Sequence, residues 1–223
     1  MSRPFFRALA WAALAALPAA AQALCTSDDV PQPQAVLERF LSADCEACWS
    51  DPATPRAAAN TVALDWVLPG TRGEDAPLAT VALPEALERL YFLERPEPAR
   101  AEAHGALRSG APVPVRLAQG EAFNDYVGAS MELPRPGRER WRAWLLLVEH
   151  LPAGTEGSPV ERNLVRNVFR PDWHKPLSRA PGRLAEMRSM QIHEGARAER
   201  LRLVAVLHDQ RGRIRAIART ECR

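Results

Sequence analysis

Residues 35–48 read Ala-Val-Leu-Glu-Arg-Phe-Leu-Ser-Ala-Asp-Cys-Glu-Ala-Cys, and the fold turns on them. Residues 35–41 (AVLERFL) form an apolar, strand-like run that leads directly into Cys45. Two residues separate Cys45 from Cys48, which is the spacing of dithiol redox motifs. A strand delivering a CxxC turn predicts an α/β unit, so the next strand should follow closely. It does: residues 61–67 (TVALDWV) place Val62, Leu64 and Trp66 on one face by alternation. Leu68-Pro69-Gly70 ends that strand.

Further along, Pro84 suits the first position of a helix, and Leu87, Leu90 and Tyr91 fall at helical spacing behind it. Pro96 and Pro98 close that helix, and residues 99–107 read as another short one. At Gly110-Ala111-Pro112 the pattern changes. Residues 113–117, 141–151, 164–169, 201–208 and 214–218 all read as strands, the last two joined by the loop Asp209-Gln210-Arg211-Gly212. The expectation is an α+β chain. A signal peptide over 1–23 precedes a reduced thioredoxin-like α/β domain with the CxxC over 24–110. An antiparallel β-sandwich domain follows over 111–223.

The amino terminus reads as an export signal. Arg3 and Arg7 precede an uncharged apolar run over 8–17, and Ala21-Gln22-Ala23 fits a small-residue cleavage site, so the mature chain is expected to begin at Leu24. The run is too short to span about 30 Å of hydrocarbon. Leu24 stands where a lipoprotein signal wants a small residue before Cys25, so no lipid anchor and no membrane span are expected after cleavage. The protein is placed in the periplasm or outside the cell.

Removing Arg3 and Arg7 from the 29 basic residues leaves 27 against 27 acidic ones. A nucleic-acid partner would need a basic surplus or stripe, so none is expected. Four cysteines in an exported chain read as two disulfides. With Cys45 and Cys48 paired, Cys25 and Cys222 remain, and chain ends often lie close together. That pairing is favoured over the two crossed ones.

The segment Glu38-Arg39-Phe40-Leu41-Ser42-Ala43-Asp44-Cys45-Glu46-Ala47-Cys48 resembles the opening of a secreted thioredoxin-like family, domain of unknown function 1223. That family typically reads E-L-F-T-S-x-G-C-S-S-C-P-P-A-D there. Glu38, Phe40, Ser42, Cys45 and Cys48 match in register. Leu64-Asp65-Trp66 and the stretch from Arg162 to Arg170 are similar to later family segments. The resemblance implies a thioredoxin-like domain followed by a β-rich one. Trp49 replaces the family's proline, and the Tyr-Thr-Pro-Gln stretch has no counterpart.

Pro52 and Pro55 would each cost about 3 kcal/mol inside a helix. A helix capped by Asp51 or Thr54 is therefore expected, with Cys45 in a turn before it. Asp44 and Glu46 flank Cys45 and raise a thiol pKa, which is expected at or above about 8.5. Cys45 is then the attacking sulfur and Cys48 the resolving one, exchanging with periplasmic protein thiols. The alternative is a non-catalytic binding module in which the CxxC is a structural disulfide. His104, His150, His174, His193 and His208 are scattered, so neither a metal nor a cofactor is expected. Trp141, Trp144 and Trp173 read as core, and no G-x-S-x-G or H-E-x-x-H occurs.

Overall fold

The computed structural model describes residues 25–175 and 182–222. The expected signal peptide lies outside them. Twelve strands form two sheets: β1 Cys25–Thr26, β2 Ala35–Ser42, β3 Thr61–Leu68, β4 Ala101–Leu107, β5 Arg116–Phe123, β6 Tyr126–Leu133, β7 Arg142–Leu151, β8 Arg162–Phe169, β9 Leu184–Gln191, β10 Leu201–His208, β11 Ile214–Arg219 and β12 Glu221–Cys222. Two α-helices accompany them, α1 Glu46–Trp49 and α2 Pro84–Phe92. The seven-stranded sheet runs β11-β10-β7-β8-β3-β2-β4, and the five-stranded one β12-β1-β5-β6-β9. Among the described residues no helix is long and apolar enough to cross a membrane.

This architecture corrects the expected α+β division. Of the described residues, strands take 44 % and helix, short 3-10 turns included, 11 %, and they show no thioredoxin-like α/β domain. Strands from both sides of residue 110 share each sheet: β2, β3 and β4 are hydrogen-bonded into one sheet with β7, β8, β10 and β11. The physical reason lies in the apolar runs. In β7, Leu145 and Leu147 face the five-stranded sheet, while Trp144, Leu146 and Val148 face α2. A strand buried on both faces is central, and it needs neighbours on both edges. β8 supplies one edge, and through it β3 and β2 join the same sheet.

The CxxC region keeps its parallel pair. β2 and β3 run parallel in unbroken register from Ala35↔Thr61 to Ser42↔Leu68, and β8 continues the parallel set at Asp65↔Leu164. Parallel neighbours require a crossover connection, here residues 43–60, which carry Cys45 and Cys48. On the other side β4 lies antiparallel to β2. Residues 99–107 were expected as a helix on the strength of their alanines. The ladder with β2 overrides that propensity.

Helix α2 begins with Pro84 at its first turn as expected, but its buried face is different. Ala86, Arg89 and Leu90 are buried, whereas Leu87 and Tyr91 are exposed, Tyr91 to 87 %. Arg89 takes the inward position because Glu38 receives it. Its Nε and Nη2 donate to the two Glu38 oxygens at 2.8 and 2.6 Å, and the Trp66 indole N–H donates to the same carboxylate at 3.0 Å. The guanidinium also lies 4.8 Å from the Trp144 ring centroid. A charged residue at a helical core position thus displaces Leu87 from the stripe that periodicity assigns it.

Cys25 and Cys222 are joined as expected. β1 pairs with β12 in the register Cys25↔Cys222, and these two cysteines are bonded.

His208 supplies the first prediction. Burial, reinforced by the nearby Arg89 charge, lowers its pKa to about 3. Below about 6.5 the unfolded chain binds a proton that the folded chain refuses, so stability rises with pH between about 3 and 6.5. The slope approaches roughly 1.4 kcal/mol per pH unit. His104, stacked on Phe40 and also lowered by burial, adds in the same sense. Urea unfolding at pH 7.5 and pH 4.5 should show a clear loss at the lower pH, and equal stabilities would contradict the neutral, buried His208.

Candidate functional site

Cys45 and Cys48 are bonded to each other, with 5.3 Å between their Cα atoms. Cys45 is the N-cap of α1, and Cys48 lies within that single turn. The turn is closed by Cys48 N–H donating to the Cys45 carbonyl at 3.0 Å, and Cys45 N–H donating to the Ser42 carbonyl at 3.0 Å. Cys45 is half-buried, and Cys48 is buried at 8 % exposure. Cys45 is thus the more accessible residue of the pair.

The helix starts earlier than expected. No helix follows Asp51 or Thr54; α1 begins immediately after Cys45 and lasts four residues. Asp51 instead organises a turn, accepting from Ala53 N–H through its side chain and from the Thr54 hydroxyl through its carbonyl. Pro52 and Pro55 allow α1 one turn and no more. So short a helix aligns few peptide dipoles.

Asp44 does not turn its charge loose on Cys45. Its carboxylate accepts from Thr71 N–H and Oγ1 at 2.7 and 2.8 Å and from Arg72 N–H at 3.2 Å. These bonds, the Thr71 hydroxyl foremost, hold it below the ordinary carboxylate range. Gly70 is required here, because a Cβ at that position would fall 2.3 Å from Asp44 Oδ1.

Beneath the turn sits a buried ionic cluster. Asp65, fully buried in β3, accepts from Arg39 Nη2 at 2.7 Å and from Arg162 Nη1 at 2.6 Å. Each arginine also sends one donor to the loop after Cys48. Arg162 Nη2 donates to the Trp49 carbonyl at 2.7 Å, and Arg39 Nη1 to the Pro55 carbonyl at 3.0 Å. Arg162 also lies 4.5 Å from the Trp49 ring centroid, and the Trp49 indole N–H donates to the Glu156 carbonyl at 2.7 Å. Burial pushes the Asp65 carboxyl up, and the two guanidiniums oppose that push. The cluster carries two cations against one carboxylate.

A pocket of about 270 Å³ opens beside the disulfide. Cys48, Arg39, Arg162, Thr54, Ala101 and Ala103 contribute to its wall. Cys48 thus shares a pocket wall with two arginines, and cationic neighbours lower a thiol pKa. The flanking acids considered from sequence point the other way. The sequence signal for the cluster was available: Arg39 and Asp65 interrupt otherwise apolar strands, and a charge mid-strand demands a buried partner.

The other residues singled out from sequence lie elsewhere. Trp141, Trp144 and Trp173 are all buried in the core. His208 packs edge-on against Phe92, and His150 lies by Asn163 and Glu161. Among the described residues no three His, Cys, Asp or Glu side chains group to hold a metal ion. No protein-family model, curated protein or solved structure matches the chain. What this site can do is therefore a matter of its own geometry.

Proposed function

We propose that the protein acts outside the cytoplasm, in the periplasm or beyond, as a thiol–disulfide exchange protein whose reactive bond is Cys45–Cys48. Two closed disulfides fit an oxidising compartment. The observation that carries the reading is the unequal exposure of the two sulfur-bearing residues, Cys45 half-buried and Cys48 buried beside the cationic pocket.

In this reading a client thiolate attacks Cys45 Sγ. The Cys45–Cys48 bond breaks, a client–Cys45 disulfide forms, and Cys48 leaves with the electron pair near Arg39 and Arg162. A second client thiolate then attacks the client sulfur of that mixed disulfide. Cys45 departs as a thiolate, the client dithiol has become a disulfide, and the protein dithiol holds the two electrons. The two client protons end on Cys45 and Cys48 or in solvent. Run backwards, the same steps reduce a client disulfide.

Cys48→Ser leaves Cys45 free and removes the resolving sulfur. Covalent adducts on Cys45 are expected when this variant is incubated with periplasmic extract, and none with Cys45→Ser. No adducts with either variant would contradict exchange. They would favour a binding module with a structural disulfide, for which the rigid anchoring of Trp49 and Pro55 by Arg162 and Arg39 is the supporting observation.

A further inference from the structure

We infer that the outer edge of β4 is the client's docking strand: an extended, cysteine-bearing polypeptide segment adds to the sheet there, beside the disulfide. The inference rests on the exchange function proposed above for the same site.

Among the described residues β4 is the last strand of its sheet and pairs only with β2. The direction of its backbone groups follows from two bonds at its ends. Ser42 N–H donates to the Arg100 carbonyl, and Arg108 N–H donates to the Gln34 carbonyl, both at 2.8 Å. The register between them is unbroken from Leu41↔Ala101 to Ala35↔Leu107. In an antiparallel ladder, bonded and non-bonded pairs alternate. Glu102, His104 and Ala106 therefore turn their N–H and C=O groups toward β2. Ala101, Ala103, Gly105 and Leu107 turn theirs outward, where no strand among the described residues receives them.

Two of those four residues, Ala101 and Ala103, also line the pocket that contains Cys48. Ala103 pairs with Arg39 and Ala101 with Leu41, so their side chains share the sheet face of Arg39 and Leu41, which also line the pocket. A strand added at this edge would point every second side chain to the face of Arg39. The short alanines and Gly105 leave room for it. The cationic surplus of Arg39 and Arg162 over Asp65 lines the same pocket as Cys48, the sulfur that departs when a docked client attacks Cys45.

Exposed edges are ordinarily blunted by lysine, proline or a bulge. β4 has no lysine or proline, and its ladder with β2 has no bulge. Main-chain pairing at such an edge supplies affinity without regard to client sequence, and the alternate side chains supply selection. The recognised chemistry is then an extended segment with a cysteine flanked by β-formers.

The test separates docking from chemistry. The probe is a fluorescein-labelled octapeptide of alternating threonine and valine with one central serine, which cannot exchange. Oxidised wild-type protein should bind it, and N-methylation of two adjacent central residues, which blocks pairing on both peptide edges, should weaken binding at least tenfold. Ala103→Pro removes one outward N–H and spares the β2 ladder, as proline on an edge strand can. It should weaken binding similarly. Equal affinity for methylated and unmethylated peptides, or no binding at millimolar peptide, would overturn the docking edge even if Ala103→Pro proved unstable. Opening of Cys45–Cys48 by a small monothiol is scored in parallel. Docking with an inert disulfide refutes exchange and upholds the edge. Exchange without docking does the reverse.

Discussion

Asp65→Ala should destabilise the protein by roughly 3 to 5 kcal/mol, the scale expected when one partner of a buried ion pair is removed. Arg39 and Arg162 would be left as two buried guanidiniums with no carboxylate, at side-chain exposures of 3 % and 0 %. Packing alone does not account for the effect. Asp65 also accepts from Asn163 N–H at 3.1 Å, so the β3–β8 junction loses that bond as well. The comparison that isolates charge is the triple change Asp65→Leu, Arg39→Met, Arg162→Met, which should recover part of the loss. Urea unfolding reads both. A loss under 1 kcal/mol for Asp65→Ala would show that the arginines find other partners and that the cluster does not organise the cysteine loop.

Opening Cys25–Cys222 should cost at least as much. The two cysteines are 197 residues apart, and the chain-entropy model puts closure of such a loop near 5 kcal/mol. Cys45 and Cys48 are 3 apart, and the same relation gives about 2 kcal/mol. Cys25→Ser with Cys222→Ser should therefore lower the urea midpoint far more than Cys45→Ser with Cys48→Ser. This asymmetry bears on function, because a bond that opens and closes in service has to leave the fold standing when open. β1 and β12 are two residues each, and β12 is held to the sheet through β1. Equal losses from the two double variants would mean that the cysteine turn is part of the structural frame.

Much of this was legible in the sequence, for identifiable reasons. The strands at β2, β3, β7, β8, β10 and β11 are runs with strong alternation or continuous apolarity, and those runs formed strands. Both disulfide pairings followed from spacing and from the position of the chain ends. What failed was assembly. An apolar run buried on both faces says that a strand is central, but not which sheet it belongs to. The β7 residues that joined β2 and β3 to the later strands thus looked like a separate sandwich. β4 reads as helix because Ala-Glu-Ala has helical propensity, and only pairing with β2 makes it a strand. β6 carried a clear period of two in Val127, Ala129, Met131 and Leu133, all buried, and its interspersed glycine and serine hid it. At the site the cysteines were plain. Their surroundings were not, since Arg39, Asp65 and Arg162 are far apart in sequence and meet only through the parallel β2–β3–β8 set.

The exchange function stands or falls on how readily Cys45–Cys48 opens. Equilibrating the purified mature protein against thiol–disulfide buffers of stepped potential, then alkylating and mapping each cysteine by mass, reads the two disulfides separately. Half-reduction of Cys45–Cys48 is expected between about −180 and −300 mV, the range of exchange-active dithiols, with Cys25–Cys222 still closed. Half-reduction only below about −300 mV, in the range of structural disulfides, would contradict it.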